Sequence, residues 1–318
     1  MDLSKIEVKK DLKVIFMGTP LFAVPILSAL IENYKVRAVV TQPDKVIGRD
    51  KKIAFSPIKR LANENSILVL QPSSIKDSVD EIKELDPDLI VTCAYGQILP
   101  KALLDIPRLG CINVHASLLP KLRGGAPIQR AIMKGHLKSG ISIMYMDVKM
   151  DAGDIISQRE VDILDSDTGS MLHDKLSAIG TELLLETLPS IISGTNERVK
   201  QIEEDVTYGY IITRNDEKIS FKDTTKLIHN QVRALNAWPG AYAILSGKNV
   251  KIWETKLSSN VFSDKYNGEI TAIYKDGIGV KTGNGEIILT SIQMEGKNRV
   301  SAVDFANGHQ DLVGKVFS

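Results

Sequence analysis

The chain is poor in cysteine: two in 318 residues, Cys93 and Cys111, both inside apolar runs and without CxxC spacing. That excludes a disulfide scaffold and a zinc ribbon, and leaves two reduced, buried thiols as the reading. It also points to a reducing compartment. Net charge is nearly absent: 40 Lys+Arg against 39 Asp+Glu give +1. No global field drives the molecule onto a polyanion or a membrane, so any such contact must come from a local patch. No segment approaches about 18 uninterrupted apolar residues, and the apolar run near the start, Val14–Gly18, is too short for a secretory leader. The expectation is a cytoplasmic protein with no membrane contact. Internal repeats and low-complexity tracts are missing too. The five histidines form no cluster with ligand spacing, so no metal is expected.

What is present is a change of period along the chain. Short apolar runs at 12–18, 35–41, 67–71, 88–94, 110–116 and 141–147 read as strands. Helical patterns at 22–33, 56–65 and 74–84 separate the first of them, and a long helix at 168–193 follows. Strands apolar on both faces and separated by helices predict a Rossmann-like, doubly wound α/β domain with a mostly parallel sheet. The stretch 195–219 is polar and without a strong period, and reads as a linker region. The helical pattern at 224–236 places apolar residues at 227, 228, 232 and 235. Five short strands punctuated by Ser-Gly, Asn-Gly and Asp-Gly then predict a smaller β-barrel or sandwich. The expected division is an N-terminal extension at 1–11, a catalytic domain at 12–206, a linker at 207–221 and a C-terminal domain at 222–318.

The turn after the first strand, Met17-Gly18-Thr19-Pro20, has one glycine where a dinucleotide fingerprint needs three. A nicotinamide cofactor is therefore not expected.

The chemistry concentrates in CINVHASLLPKLRGGAPIQ, residues 111–129. In a strand, residues i and i+2 share a face, so Asn113 and His115 point the same way while Ile112 and Val114 enter the core. Both polar groups lie at the end of the sheet where open α/β folds bind ligands. An amide donor aimed at a developing oxyanion, beside a general base, is the minimum kit for acyl transfer. A third group must orient the base. Asp151, in D-A-G-D at 151–154, is the candidate; Asp154 competes, and Asp147 reads as a strand-end surface acid. Pro120 holds the SLLP segment extended, with its backbone groups expected to lie free along a cleft. The glycines of RGGAP let backbone pass close to a substrate. The cleft suits a flat heteroaromatic ligand.

INVHASLLP, RGGAPIQ and the downstream DAGD together resemble the formyltransferases that use 10-formyltetrahydrofolate. The resemblance implies a triad at Asn113, His115 and Asp151, and folate held by Ser117, Leu118, Leu119 and Pro120 together with Gln97, Ile98 and Leu99. The segments VIFMGTPLFAVPIL, VVTQPDKVIGRDKK, CAYGQILP and HNQVRALNAWPGAY look like the branch of that family whose acceptor is methionyl initiator tRNA. On that resemblance the second domain is OB-like and binds tRNA, and the basic loop with Lys45, Arg49, Lys51 and Lys52 meets the acceptor end. The family's usual glycine after the Gly-Arg pair is here Asp50. The competing acceptor is a sugar-nucleotide amine. A monomer is expected.

Overall fold

The computed structural model describes residues 11–47, 52–309 and 311–318. It divides into two compact units. The first contains the chain up to Pro127 together with Ser139–Val161 and His173–Tyr210; the second contains Ile128–Lys138, Asp162–Leu172 and Ile211–Ser318.

The first unit is built on β1 (Lys13–Gly18), β2 (Lys35–Val40), β5 (Leu68–Leu70), β6 (Leu89–Cys93), β7 (Cys111–His115), β8 (Lys138–Tyr145) and β9 (Ile155–Asp162). A separate ribbon pairs β3 (Lys45–Ile47) with β4 (Lys52–Ala54). The strand order in the main sheet is β5-β2-β1-β6-β7-β8-β9. The first five of these run parallel. β1 and β6 are buried along almost their whole length, as strands covered on both faces must be. One face carries Ile15, Met17, Val40, Ile90 and Cys111, which pack with Ile82 and Leu103 from the helices. Each such side chain contributes about 1.5–3 kcal/mol by leaving water. Helix Pro57–Glu64 starts where its sequence says it should: Ser56 caps it, accepting from the Lys59 N–H at 3.0 Å, and Pro57 occupies the first turn.

Two features depart from the sequence reading. β8 runs antiparallel to β7, with Ile112 opposite Tyr145 and His115 opposite Ser142. β9 reverses again: the Tyr145 N–H bonds the Asp154 carbonyl, while Gly140 lies against the Arg159 carbonyl. The polar stretch 195–210, whose last four residues the expected division gives to the linker, belongs to this unit. Val199 bridges Ile155 and Tyr208 bridges Arg123. Backbone pairing, not apolar burial, fixes it, so no hydrophobic period announces it.

The second unit contains an antiparallel sheet of β10 (Ala241–Leu245), β11 (Lys248–Leu257), β12 (Ile270–Tyr274), β13 (Gly277–Lys281) and β14 (Glu286–Met294), in the order β10-β11-β14-β13-β12, with β15 (Val300–Ser301) beside β14. The C-terminal residues close it. Ser318 and Ile244 exchange backbone hydrogen bonds at 2.8 and 2.9 Å, while the Phe317 N–H donates to the Gly268 carbonyl at 2.8 Å. The two edges are thus joined through one short segment, giving the OB-like barrel expected. Val250, Ile252, Ile278, Val280, Ile287 and Leu289 fill its interior. From helix Thr225–Ala234 and its C-cap, Ile228, Val232 and Leu235 are buried in the same core. Leu227, expected in that stripe, is 48% exposed, because one residue of helix is a rotation of about 100° off the buried line.

Candidate active site

Asn113 and His115 sit on β7 with two residues of the core between and behind them, Ile112 and Val114. Asn113 lines a cleft whose walls include Ile98, Leu99, Met144, Met146 and Asp151. The Thr92 hydroxyl, on the neighbouring strand, donates to the Asn113 Oδ1 at 2.9 Å. The same hydroxyl also lies 3.1 Å from the Ile112 carbonyl; with Oδ1 turned to Thr92, the amide N–H₂ is the end available to the cleft. Thr92 was missed in the sequence, although its signature, one polar residue inside an apolar run, is the one that drew attention to Asn113.

His115 is 6% exposed. Its Nε2 lies 3.2 Å from the Leu122 carbonyl and its Nδ1 lies 3.7 Å from the Asp151 Oδ2. A carbonyl only accepts, so the neutral ring carries its proton on Nε2 and presents the Nδ1 lone pair. The second distance exceeds a hydrogen bond. In that tautomer the Leu122 carbonyl holds the ring and the Asp151 carboxylate, expected to orient the base, lies beside Nδ1. Asp151 is placed to act by charge.

Asp151 does not reach His115 across two parallel strand ends. The loop 146–154 leaves β8 beside Ile112, where the Met146 N–H bonds the Cys111 carbonyl at 2.8 Å, and turns back along β7. Asp151 has a left-handed backbone, φ 50°. Its Oδ2 accepts from the Gly124 N–H at 2.7 Å. Gly124, at φ 118°, could not carry a Cβ comfortably: the Gly209 carbonyl would be 3.0 Å away. Asp154, the competing acid, immediately precedes β9, and its carbonyl accepts from the Tyr145 N–H. Asp147 lies in the cleft lining, nearer the site than its surface reading implied.

The SLLP segment differs from expectation. The Leu119 N–H donates to Ser142 Oγ at 3.0 Å, and its carbonyl accepts from Gln158 Nε2 at 2.9 Å. The Ser117 carbonyl accepts from the same Ser142 hydroxyl at 2.6 Å, the Leu118 carbonyl from the Lys121 N–H at 3.1 Å, and the Pro120 carbonyl from the Thr207 N–H at 3.4 Å. These backbone groups face partners within the protein, not the cleft. Leu119 itself packs with Met144, a cleft wall. Gln97, Ile98 and Leu99 do line the cleft; the Gln97 side chain is tied down by the Ile75 N–H at 2.8 Å, and Ile98 is 63% exposed.

Lys45 and Lys52 are exposed on the β3–β4 ribbon, where a flexible loop was expected. Lys45 pairs with Ala54 and Ile47 with Lys52, so both lysines share one face and Val46 and Ile53 take the other. Arg49 and Lys51 lie outside the described residues, as does Asp50. Among the described residues no group of three or more His, Cys, Asp or Glu side chains could hold a metal. No helix among them is long and apolar enough to cross a membrane. Both cysteines are buried and unbridged; burial pushes the Cys111 thiol up to about 12, with the Asp105 charge adding, and raises Cys93 as well.

Asn113 and Asp151 line one cleft, and the buried His115 ring lies 3.7 Å behind the Asp151 carboxylate; an amide, an imidazole and a carboxylate so placed are groups that acyl transfer can use. Residues 12–188 match the formyl transferase family model, and residues 211–310 match the model for the formyl transferase C-terminal domain. The chain belongs to the formyl transferase family. It is 47% identical over 309 residues to a methionyl-tRNA formyltransferase of Macrococcus caseolyticus, covering 96% of this chain and 99% of that one. It is 48% identical over 309 residues to a methionyl-tRNA formyltransferase of Bacillus subtilis, covering 96% and 97%. Among solved structures, an N-formyltransferase from Helicobacter canadensis in complex with folinic acid and dTDP-3-aminofucose aligns with a TM-score of 0.66 at 23% identity, covering 89% of this chain and 99% of that one. HypX from Aquifex aeolicus in complex with tetrahydrofolic acid aligns with a TM-score of 0.63 at 17% identity, covering 92% of this chain and 46% of that one. The chain thus spans about half the length of HypX, and at these identities the two structures share its fold.

Proposed function

We propose that this chain transfers the formyl group of 10-formyltetrahydrofolate to the α-amino group of methionyl initiator tRNA. Family membership and relatives at 47–48% identity over almost their whole length support the reaction and the acceptor. The observation that carries the mechanism is that Asn113 and Asp151 line one cleft and that His115 lies 3.7 Å from the Asp151 carboxylate.

The apolar walls, Ile98, Leu99, Met144 and Met146, fit a flat heteroaromatic ring system, so the folate donor lies against them. Gln97, Ile98 and Leu99 hold it directly. Ser117–Pro120 support it from behind, through Leu119 against Met144.

The attacking amine must be neutral, and a free α-amino group titrates at about 7.7–8.0. Asn113 donates its N–H₂ to the formyl oxygen as charge gathers there, a contribution of about 10²–10³ in rate. His115 takes the amine proton on Nδ1, worth roughly 10²–10⁴. Asp151, 3.7 Å away, stabilises the imidazolium so formed. The C–N bond to the folate N10 breaks as the new amide forms, and the proton held by His115 passes to N10. Lys45, Arg49, Lys51 and Lys52 neutralise phosphates near the acceptor end of the tRNA, and the barrel domain supplies further tRNA contact. The reaction takes place in the cytoplasm, and one copy of the chain suffices because all three reacting groups come from it.

The test is transfer of labelled formyl from 10-formyltetrahydrofolate to methionyl initiator tRNA, with elongator methionyl-tRNA beside it. Rapid labelling of the initiator alone is expected. Labelling of a sugar-nucleotide amine in its place would keep the donor and the site and overturn the acceptor.

A further inference from the structure

We propose that Gln201 is a positioning residue for Asp151, and so for the catalytic pair. The inference rests on the reading of Asp151 and His115 given above.

Gln201 lies in the polar stretch that sequence reasoning left without a role. Its Nε2 donates to two carbonyls, those of Asp151 and Gly153, both at 2.8 Å. Its Oε1 accepts from the Arg123 Nε at 2.9 Å. The amide orientation is unambiguous: a guanidinium only donates and a carbonyl only accepts, so each end of the amide has one possible neighbour. The Arg123 side chain is 4% exposed and its second arm meets Glu203 at 3.1 Å. Gln201 is therefore anchored through a buried, charge-assisted contact.

The geometry gives this amide leverage. Asp151 occupies a left-handed backbone that a non-glycine residue keeps only when its surroundings over-determine it. Two groups do so here. The Gly124 N–H holds the carboxylate, and Gln201 holds the carbonyl of the same residue. Gly124 follows Arg123 directly, so Gln201 ties together the two turns that carry the acceptor and the donor of that bond. Without it both turns loosen, and the carboxylate moves relative to the His115 Nδ1. A misplacement of about 1 Å at a catalytic group costs on the order of 10²-fold.

Gln201→Ala removes the clamp. Gln201→Glu keeps the side-chain length and the acceptor for Arg123 while removing both donors. Each is expected to lower kcat by about 10- to 100-fold, with KM for folate and for tRNA changed by less than about threefold, since no substrate contact is lost. Loss of the two hydrogen bonds should lower the urea midpoint in Gln201→Glu, and the Asp151→Asn background separates the positioning role from that loss of stability. In an Asp151→Asn background, Gln201→Ala should cost no more than about twofold further, because its effect runs through a carboxylate already neutralised. Wild-type turnover in Gln201→Glu would overturn the proposal, as would an undiminished loss in the Asp151→Asn background. Wild-type turnover in Asp151→Asn alone would overturn the site reading on which the proposal stands.

Discussion

His115 has a carbonyl on one side of its ring and a carboxylate on the other, and the two do different work. The Leu122 carbonyl, 3.2 Å from Nε2, dictates where the neutral ring keeps its proton. The Asp151 carboxylate, 3.7 Å from Nδ1, rewards the ring for gaining a second one. A measurable consequence follows for the neutral ring: its ¹⁵N shifts should show Nε2 protonated and Nδ1 bare. A protonated Nδ1 would restore the tautomer-fixing role to Asp151 and remove the base. Asn113 acts at the same scale. With Oδ1 against the Thr92 hydroxyl at 2.9 Å, its nitrogen is the end that meets the formyl oxygen. Asn113→Ala should lose about 10²–10³ in kcat at saturating substrate while the urea midpoint stays near wild type, since the residue contributes a donor, not core. An unchanged kcat would mean that the oxyanion is held elsewhere.

At the scale of elements, the two polar turns beside the site are built around glycines that leave no room. A Cβ on Gly153 would lie 2.0 Å from the Tyr145 carbonyl, a contact backbone cannot relieve by a rotamer change. Gly153→Ala should therefore displace the 151–154 turn, lower the urea midpoint and reduce kcat by at least as much as Gln201→Glu; wild-type values of both would show the turn to be compliant. The sequence announced this turn by DAGD, as it announced the helix at Pro57 by its serine cap and β7 by its apolar alternation. Such elements are legible because local chemistry decides them. The direction of β8 is not, since an apolar strand reads the same in either direction, and it is that reversal which obliges the loop 146–154 to fold back toward His115. Residues 195–210 are equally silent. Their hold on the first unit comes from backbone bridges and from single side chains such as Gln201 and Thr207, whose Oγ1 accepts from the Leu122 N–H at 2.9 Å. Neither device leaves a period. Asn113, His115 and Asp151 could be picked out by residue type and position; the groups that aim them could not.

For the molecule as a whole, two groups of the second unit, His229 and Asp216, shape its response to acid. His229, on helix Thr225–Ala234, is half-buried with its Nδ1 2.8 Å from Thr255 Oγ1. Burial, then the Arg233 and Lys226 charges, push its pKa down to about 4. In the unfolded chain histidine titrates near 6.5. Below that value the unfolded state takes up a proton that the folded state refuses, so stability falls as pH drops from 6.5 toward 4 and then levels. At about 1.36 kcal/mol per unit, the loss between pH 7 and pH 5 is on the order of 2 kcal/mol. Asp216 governs a separate window. Its bond to Arg130 holds it at about 2, so its contribution is present above about pH 4 and is lost between there and about pH 2. Both tryptophans of the chain, Trp238 and Trp253, lie in this unit, so their fluorescence during urea unfolding reports it specifically. His229→Gln cannot titrate. Its urea midpoint should therefore change little between pH 7 and pH 5, where the wild-type midpoint falls, and both should decline together below about pH 4 as Asp216 is protonated. An equal fall in the two proteins between pH 7 and pH 5 would assign the acid response to another group.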